Sequence, residues 1–127
     1  MIPLRKLVQR QFAFAVFASL YLLGSLVHEH FRSVAFIQSP VLPSFIILAV
    51  YTLSLLLSKK VNKKWYRIAM IPAILFFGGL GVVGNLILFM NSGLAYYSSY
   101  NMWLIALGIN FYGSMLNIFA LLGLYKE

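Results

Sequence analysis

The run Asn110-Phe111-Tyr112-Gly113-Ser114-Met115-Leu116-Asn117, set inside the hydrophobic stretch 102–125, decides how this chain folds. Two amides stand seven residues apart with a glycine and a serine between them. On an α-helix, steps of three, four and seven residues return to nearly the same face. Asn110, Gly113, Ser114 and Asn117 therefore share one narrow stripe, with Ala106 a turn further along. Leu107, Ile109, Phe111, Leu116, Ile118 and Phe119 fill the opposite side with bulk. In water that bulk would turn inward. In a bilayer the order inverts, because lipid cannot satisfy an amide, and the small, polar stripe is expected to face other helices.

Composition selects the bilayer. The 127 residues are 62% hydrophobic and 9% charged, with mean hydropathy +0.91. Soluble domains carry about 25% charged residues. This chain lacks the charge to clothe a surface for water, and a single membrane domain over residues 1–127 is expected. Cysteine is absent, which excludes disulfides and thiolate chemistry. Glu29 and Glu127 are the only acids. A net charge of +8 would point to nucleic acid in a soluble protein. Here the basic residues flank hydrophobic spans, where orientation and anionic lipid headgroups account for them, and nucleic acid is not expected.

Four spans are predicted, over about 12–30, 41–58, 68–90 and 102–124. The basic start and apolar core have the look of a signal peptide. No small-x-small cleavage site precedes His28, however, so the first span is read as retained. Arg5, Lys6 and Arg10 precede the first span, Lys59, Lys60, Lys63, Lys64 and Arg67 cluster in the second loop, and Lys126 follows the last. Arg32 alone lies on the other side. The positive-inside rule then gives an all-α, four-helix membrane bundle with both termini cytoplasmic, placed in the plasma (inner) membrane. Trp65, Tyr66 and Tyr125 are expected at the inner water boundary, and Tyr96, Tyr97, Tyr100 and Trp103 at the outer one. No internal repeat or low-complexity segment interrupts this pattern.

Two more seams accompany the stripe on the last helix. Gln11, Phe14, Ala18, Tyr21, Ser25 and Glu29 keep to one face of the first helix. Gly78, Gly81 and Asn85 group on the third, with Gly79 and Gly84 nearby; Gly78, Gly81, Gly84 and Gly113 are expected to let backbones approach closely. Asn85 and Asn110 fall at matching depth, within reach of a hydrogen bond to each other. Pro72 should kink the third helix or relax its first turns. The first reading of Ser25, Asn85, Asn110, Ser114 and Asn117 is as packing groups that hold helices together; the sharper one is a polar lining for a small solute. Glu29, an acid at a helix end, is read first as the partner of Arg32 three residues on, and second as a proton or cation site.

The remaining inventory argues against catalysis. No carboxylate pair, cysteine or orienting aspartate is present. His28 and His30, two residues apart on a helix, diverge by about 200° and find no third ligand, so neither a metal nor another cofactor is expected. The glycines around Gly81 follow no strand and precede no Lys-Ser/Thr pair, so they form no phosphate loop. Lys59, Lys60, Lys63, Lys64 and Arg67 are read as a contact for anionic lipid or for an acidic cytoplasmic partner.

In size and topology the chain is similar to the small multidrug resistance transporters. Their essential acid in mid-first-helix has no counterpart here: Ala18, Ser19 and Tyr21 occupy that place, and Glu29 sits near the exit. The family is therefore not assigned. A non-catalytic subunit or scaffold of a membrane complex, as a homo-oligomer or within a larger assembly, is the leading expectation. A homo-oligomeric transporter or channel lined by Glu29, Asn85, Asn110 and Asn117 is the alternative, and a haem- or quinone-associated anchor is the third.

Overall fold

The computed structural model describes residues 2–32, 41–94, 97 and 99–126. Four helices in it are long and apolar enough to cross a membrane. Helix α1 spans Leu4–Arg32. Helix α2 spans Val41–Ser54 and tightens into a 3-10 turn over Leu55–Lys59. Helix α3 runs over Lys64–Ser92 and α4 over Tyr100–Leu122. Two short strands, β1 (Ile2–Pro3) and β2 (Tyr125–Lys126), pair in parallel and bring both chain ends to one end of the bundle. That end, which also carries the α2–α3 loop, is termed basal here and the other distal.

Helix α1 begins at Leu4, well before the apolar run that starts at Phe12. The reason lies in Leu4, Leu7, Gln11 and Phe14, which recur at three- and four-residue steps and are all buried. Arg5, Lys6 and Arg10 ride outside on the same turns. In α2, Pro43 occupies the first turn, where its missing N–H costs nothing. Ser99 caps α4 by accepting a hydrogen bond from Met102 N–H. Gly123 ends α4 in a left-handed turn, with Leu124 N–H reaching back to the Phe119 carbonyl, the Schellman pattern.

Helix α3 changes its winding midway. Lys64–Ala73 is α-helical, Ile74–Gly84 is an eleven-residue π-helix, and Asn85–Ser92 returns to α. Pro72 starts the change, since it offers no N–H and its ring crowds the carbonyl four residues back. The inward row explains why the change persists. Ala73, Phe77, Gly81, Asn85 and Phe89 are buried or half-buried at strict four-residue steps. In an α-helix each such step drifts by about 40°, so the row would swing about 160° around the helix from first to last. Wider i→i+5 winding keeps it facing the bundle.

Helix α4 packs against α1 and along the length of α3. Its stripe faces protein as its composition requires: Ala106, Gly113, Ser114 and Asn117 are buried, and Asn110 is half-buried. Phe111 and Ile118 face outward. Leu116 does not, being 5% exposed, because helices on two sides of α4 widen its contact face beyond the stripe. The outer surface elsewhere is a belt of aliphatic side chains, Leu20, Val50, Leu80 and Met90 among them. Such a surface is consistent with an integral membrane protein.

The basal aromatics depart from expectation. Trp65 is exposed, but Tyr66 and Tyr125 are buried and stack edge-on at 6.3 Å, so two of the three expected boundary residues serve the core instead. At the distal end Tyr100 is exposed, whereas Tyr97 and Trp103 are buried; Tyr96 lies outside the described residues.

At the centre sits Phe14. Its ring meets Tyr51 and Phe77 edge-on at 5.6 and 4.9 Å, and those two rings meet each other at 5.2 Å. On its third side Phe14 presses onto Gly113, where a Cβ would lie 2.4 Å from the ring. A ring held on three sides cannot retreat. Gly113→Ala should therefore destabilise the protein by about 1–3 kcal/mol, read as a lowered thermal transition in detergent. Gly79→Ala, with open space around it, should leave the transition unchanged or raised.

Candidate functional site

The interior is layered from base to distal end. Beneath Phe14 lies a polar layer to which every helix contributes. Gln11 of α1 donates through Nε2 to Asn117 Oδ1 of α4 at 3.0 Å and to Met70 Sδ of α3 at 3.3 Å. Tyr66 of α3 donates to Gln11 Oε1 at 2.5 Å, and Tyr51 of α2 donates to Asn117 Oδ1 at 2.6 Å. Gln11, Tyr66, Met70 and Asn117 are fully buried, and Tyr51 nearly so. Among the described residues, Asn117 Nδ2 is buried with no hydrogen-bond partner, as is Trp103 Nε1 at the distal end.

Above the Phe14–Tyr51–Phe77 layer opens a cavity of about 320 Å³. Phe77 and Leu48 form its floor, Asn85, Asn110 and Tyr97 supply polar groups, and Ala18, Leu22 and Ile109 supply apolar wall. Asn85 and Asn110 meet there through a shared acceptor. Asn85 Nδ2 donates to the Gly81 carbonyl at 2.6 Å and Asn110 Nδ2 to the same oxygen at 3.4 Å. Asn85 follows Gly81 by four residues on the same helix, and Asn110 reaches the same carbonyl from α4. Tyr97 donates to Asn85 Oδ1 at 2.8 Å, and Tyr21 donates to the Met102 carbonyl at 3.0 Å. A stacked pair, Phe89 on Trp103 at 4.3 Å, packs beside Tyr97 and Tyr21 at the distal end.

The residues singled out from sequence thus fall into three places. Asn85 and Asn110 line the cavity. Asn117 belongs to the polar layer below, and Ser114 donates to the Asn110 carbonyl at 2.7 Å while facing Gly78. Ser25 is buried on the inner face of α1. Glu29 is exposed at the distal end of α1 and lines no part of the cavity; the Arg32 side chain that would pair with it lies outside the described residues. Among the glycines, Gly78, Gly81 and Gly113 lie at helix contacts, since a Cβ there would crowd Ser114, Asn110 and Phe14. Gly84 does not, as a Cβ there meets only the carbonyl of Gly79 in its own helix. Sequence reading passed over Tyr51 and assigned Tyr66 to the water boundary alone. Tyr51 was detectable as a phenol that follows the apolar run 45–50, a group whose hydroxyl needs a partner in oil. Tyr66 was disguised by its neighbour Trp65.

At the basal end Arg67 donates through Nε to the Leu121 carbonyl at 2.8 Å and lays its guanidinium on Gly123, which satisfies the last turn of α4. Lys63, Lys64 and Arg67 line a recess of about 460 Å³ with Leu121 and Tyr125. Lys59 and Lys60 are exposed beside it. Among the described residues, no three His, Cys, Asp or Glu side chains converge. No known protein family, curated protein or solved structure matches the chain.

Two measurements test this layering. Asn117→Leu strands the donors of Gln11 and Tyr51 and should cost about 1–3 kcal/mol of stability for each group left unpaired. Tyr51→Phe alone should cost about 0.6–1.7 kcal/mol, and adding it to Asn117→Leu should cost little more, a coupling that a double-mutant cycle of thermal transitions would detect. Tyr97 tests the distal end, because burial pushes its phenol from 10 up to about 12, with the bond to Asn85 opposing. The neutral phenol is the favoured form, so its contribution is whole below pH 10 and is lost as pH rises through about 12. Stability should decline across that window, and less steeply in Tyr97→Phe.

Proposed function

We propose that the protein is a non-catalytic subunit of a membrane complex, inserted with both termini and the lysine-rich loop on the cytoplasmic side of the plasma (inner) membrane. The observation that carries this reading is the polar layer: the interior amides and hydroxyls of Gln11, Tyr51, Tyr66 and Asn117 are engaged with one another across all four helices. Side chains spent on holding helices together serve assembly. The pairing of β1 with β2 supports an even number of crossings, since it brings both ends to the end that also bears Lys59, Lys60, Lys63 and Lys64. The basic recess at that end suits anionic lipid headgroups or an acidic partner.

A homo-oligomeric transporter draws less support. Its supposed lining is divided: the ring layer of Phe14, Tyr51 and Phe77 stands between Asn110 and Asn117, and Glu29 lies outside the cavity.

Orientation and assembly are tested separately. The chain has no native cysteine, so Asn62→Cys should react with an impermeant maleimide only from the cytoplasmic side, and Ser92→Cys only from the other. With Lys59, Lys60, Lys63 and Lys64 all changed to Gln, the native complex isolated in mild detergent should shrink while the thermal transition holds. Solute flux in liposomes that vanishes in Asn110→Leu, with complex size unaffected by the lysine changes, would overturn the proposal in favour of transport.

A further inference from the structure

A second void adjoins the distal cavity. Of about 240 Å³, it lies between α2 and α3 on the basal side of the first, and the two share Ile47, Phe76 and Phe77 as common wall. Ile46, Val50, Pro72 and Ala73 complete its apolar lining. Leu80 on the first void, at 66% exposed, and Val50 on the second, at 62%, stand on the outer surface, so the crevice opens toward the apolar belt. No charged side chain lines either void among the described residues.

Polar groups line both voids: Tyr21, Ser44, Asn85, Tyr97 and Asn110 on the first, and on the second the hydroxyls of Tyr51 and Ser54, which donate to Asn117 Oδ1 and to the Tyr51 carbonyl. Tyr97 and Tyr21 have given their hydroxyl protons to Asn85 and Met102, and both Asn85 polar atoms are engaged. Asn110 differs. Its Nδ2 makes only the long contact of 3.4 Å, and its Oδ1 accepts no hydrogen bond among the described residues. The amide thus retains an acceptor and a donor at the cavity wall, between the apolar side chains of Ile109 and Leu80.

We propose that these adjoining voids bind a neutral single-chain amphiphile, with its hydroxyl or carbonyl head on Asn110 and its hydrocarbon chain passing the Ile47 and Phe76 side chains into the α2–α3 crevice. Charge is excluded on physical grounds, because an ion held there would be desolvated with no partner. Two chains are excluded by size, since the voids hold roughly ten and eight water-sized groups. The opening onto the apolar belt admits a molecule from lipid rather than from water. A chain directed from distal to basal also matches the pose of a lipid in the distal leaflet. The inference is independent of the subunit reading above.

The test uses the full chain in phosphatidylcholine nanodiscs, doped either with monoolein or with lysophosphatidylglycerol of the same chain, and counts retained adducts by native mass spectrometry. One monoolein per chain is expected, with the anionic counterpart retained at least about tenfold more weakly. Ile47→Trp fills the shared wall and should abolish retention. Asn110→Leu, close to isosteric, should weaken it about 3- to 10-fold, the effect of one lost hydrogen bond. If Asn110→Leu fails to fold, the comparison of the two lipids and Ile47→Trp decide the matter. Equal retention of both lipids, retention undiminished in Ile47→Trp, or no stoichiometric adduct would each overturn the site.

Discussion

Phe14 is wedged at the crossing of all four helices, and the bundle depends on the notch that Gly113 leaves for its ring. The edge-on contacts with Tyr51 and Phe77 fix the ring from α2 and α3, while Gly113 lets α4 approach until backbone touches ring. Edge-on aromatic pairs contribute about 0.5–1.5 kcal/mol each beyond buried area. In a bilayer that share matters more, because helices gain little from hiding aliphatic surface that lipid already solvates. Shape at one point therefore does what a hydrophobic core does in water.

The polar layer beneath it has a different task. A ring in a notch limits the distance between helices but leaves rotation free. Hydrogen bonds from Gln11 and Tyr51 to the single oxygen Asn117 Oδ1, with Tyr66 closing onto Gln11, set the rotation of each helix about its axis. That oxygen serves two donors, while Asn117 Nδ2 is buried with no acceptor among the described residues. The same economy recurs distally, where the Gly81 carbonyl receives both Asn85 and Asn110. The π winding makes that possible, since it holds Gly81 and Asn85 on the inward row despite their four-residue spacing.

How much of this could be read from sequence follows from which signals are periodic. The stripe on α4 and the seam on α1 were legible because three- and four-residue steps are the signature of a helix face, and a small or polar stripe has one stable destination in oil. Gly113 was legible as a point of close approach, but not its partner: Phe14 on α1 reads as one aromatic among many. The bond within reach of Asn85 and Asn110 became two bonds to one carbonyl, because sequence gives depth along a helix and not the winding that turns a carbonyl inward. Pro72 announced a disturbance in α3, but its length was set by the four-step row that follows, a pattern that α periodicity discards as noise. Tyr66 shows the limit of compositional rules. Next to a lysine cluster and a tryptophan it has every mark of a boundary residue, and only the packing of β2 over the base reveals that it points inward.

Asn110 and Asn117 bring these threads together. They occupy one stripe of one helix, about 10 Å apart along its axis, and sequence alone gives them the same role. The structure separates them by placing Phe14 against the glycine between them. Below the ring, α1 and α2 both reach Asn117, and its oxygen is committed. Above it, the four-residue row of α3 offers Asn110 a glycine in place of a side chain, so its amide lies against bare backbone with binding capacity to spare. One aromatic ring in one glycine notch thus divides a uniform polar stripe into a half that builds the bundle and a half left open to bind.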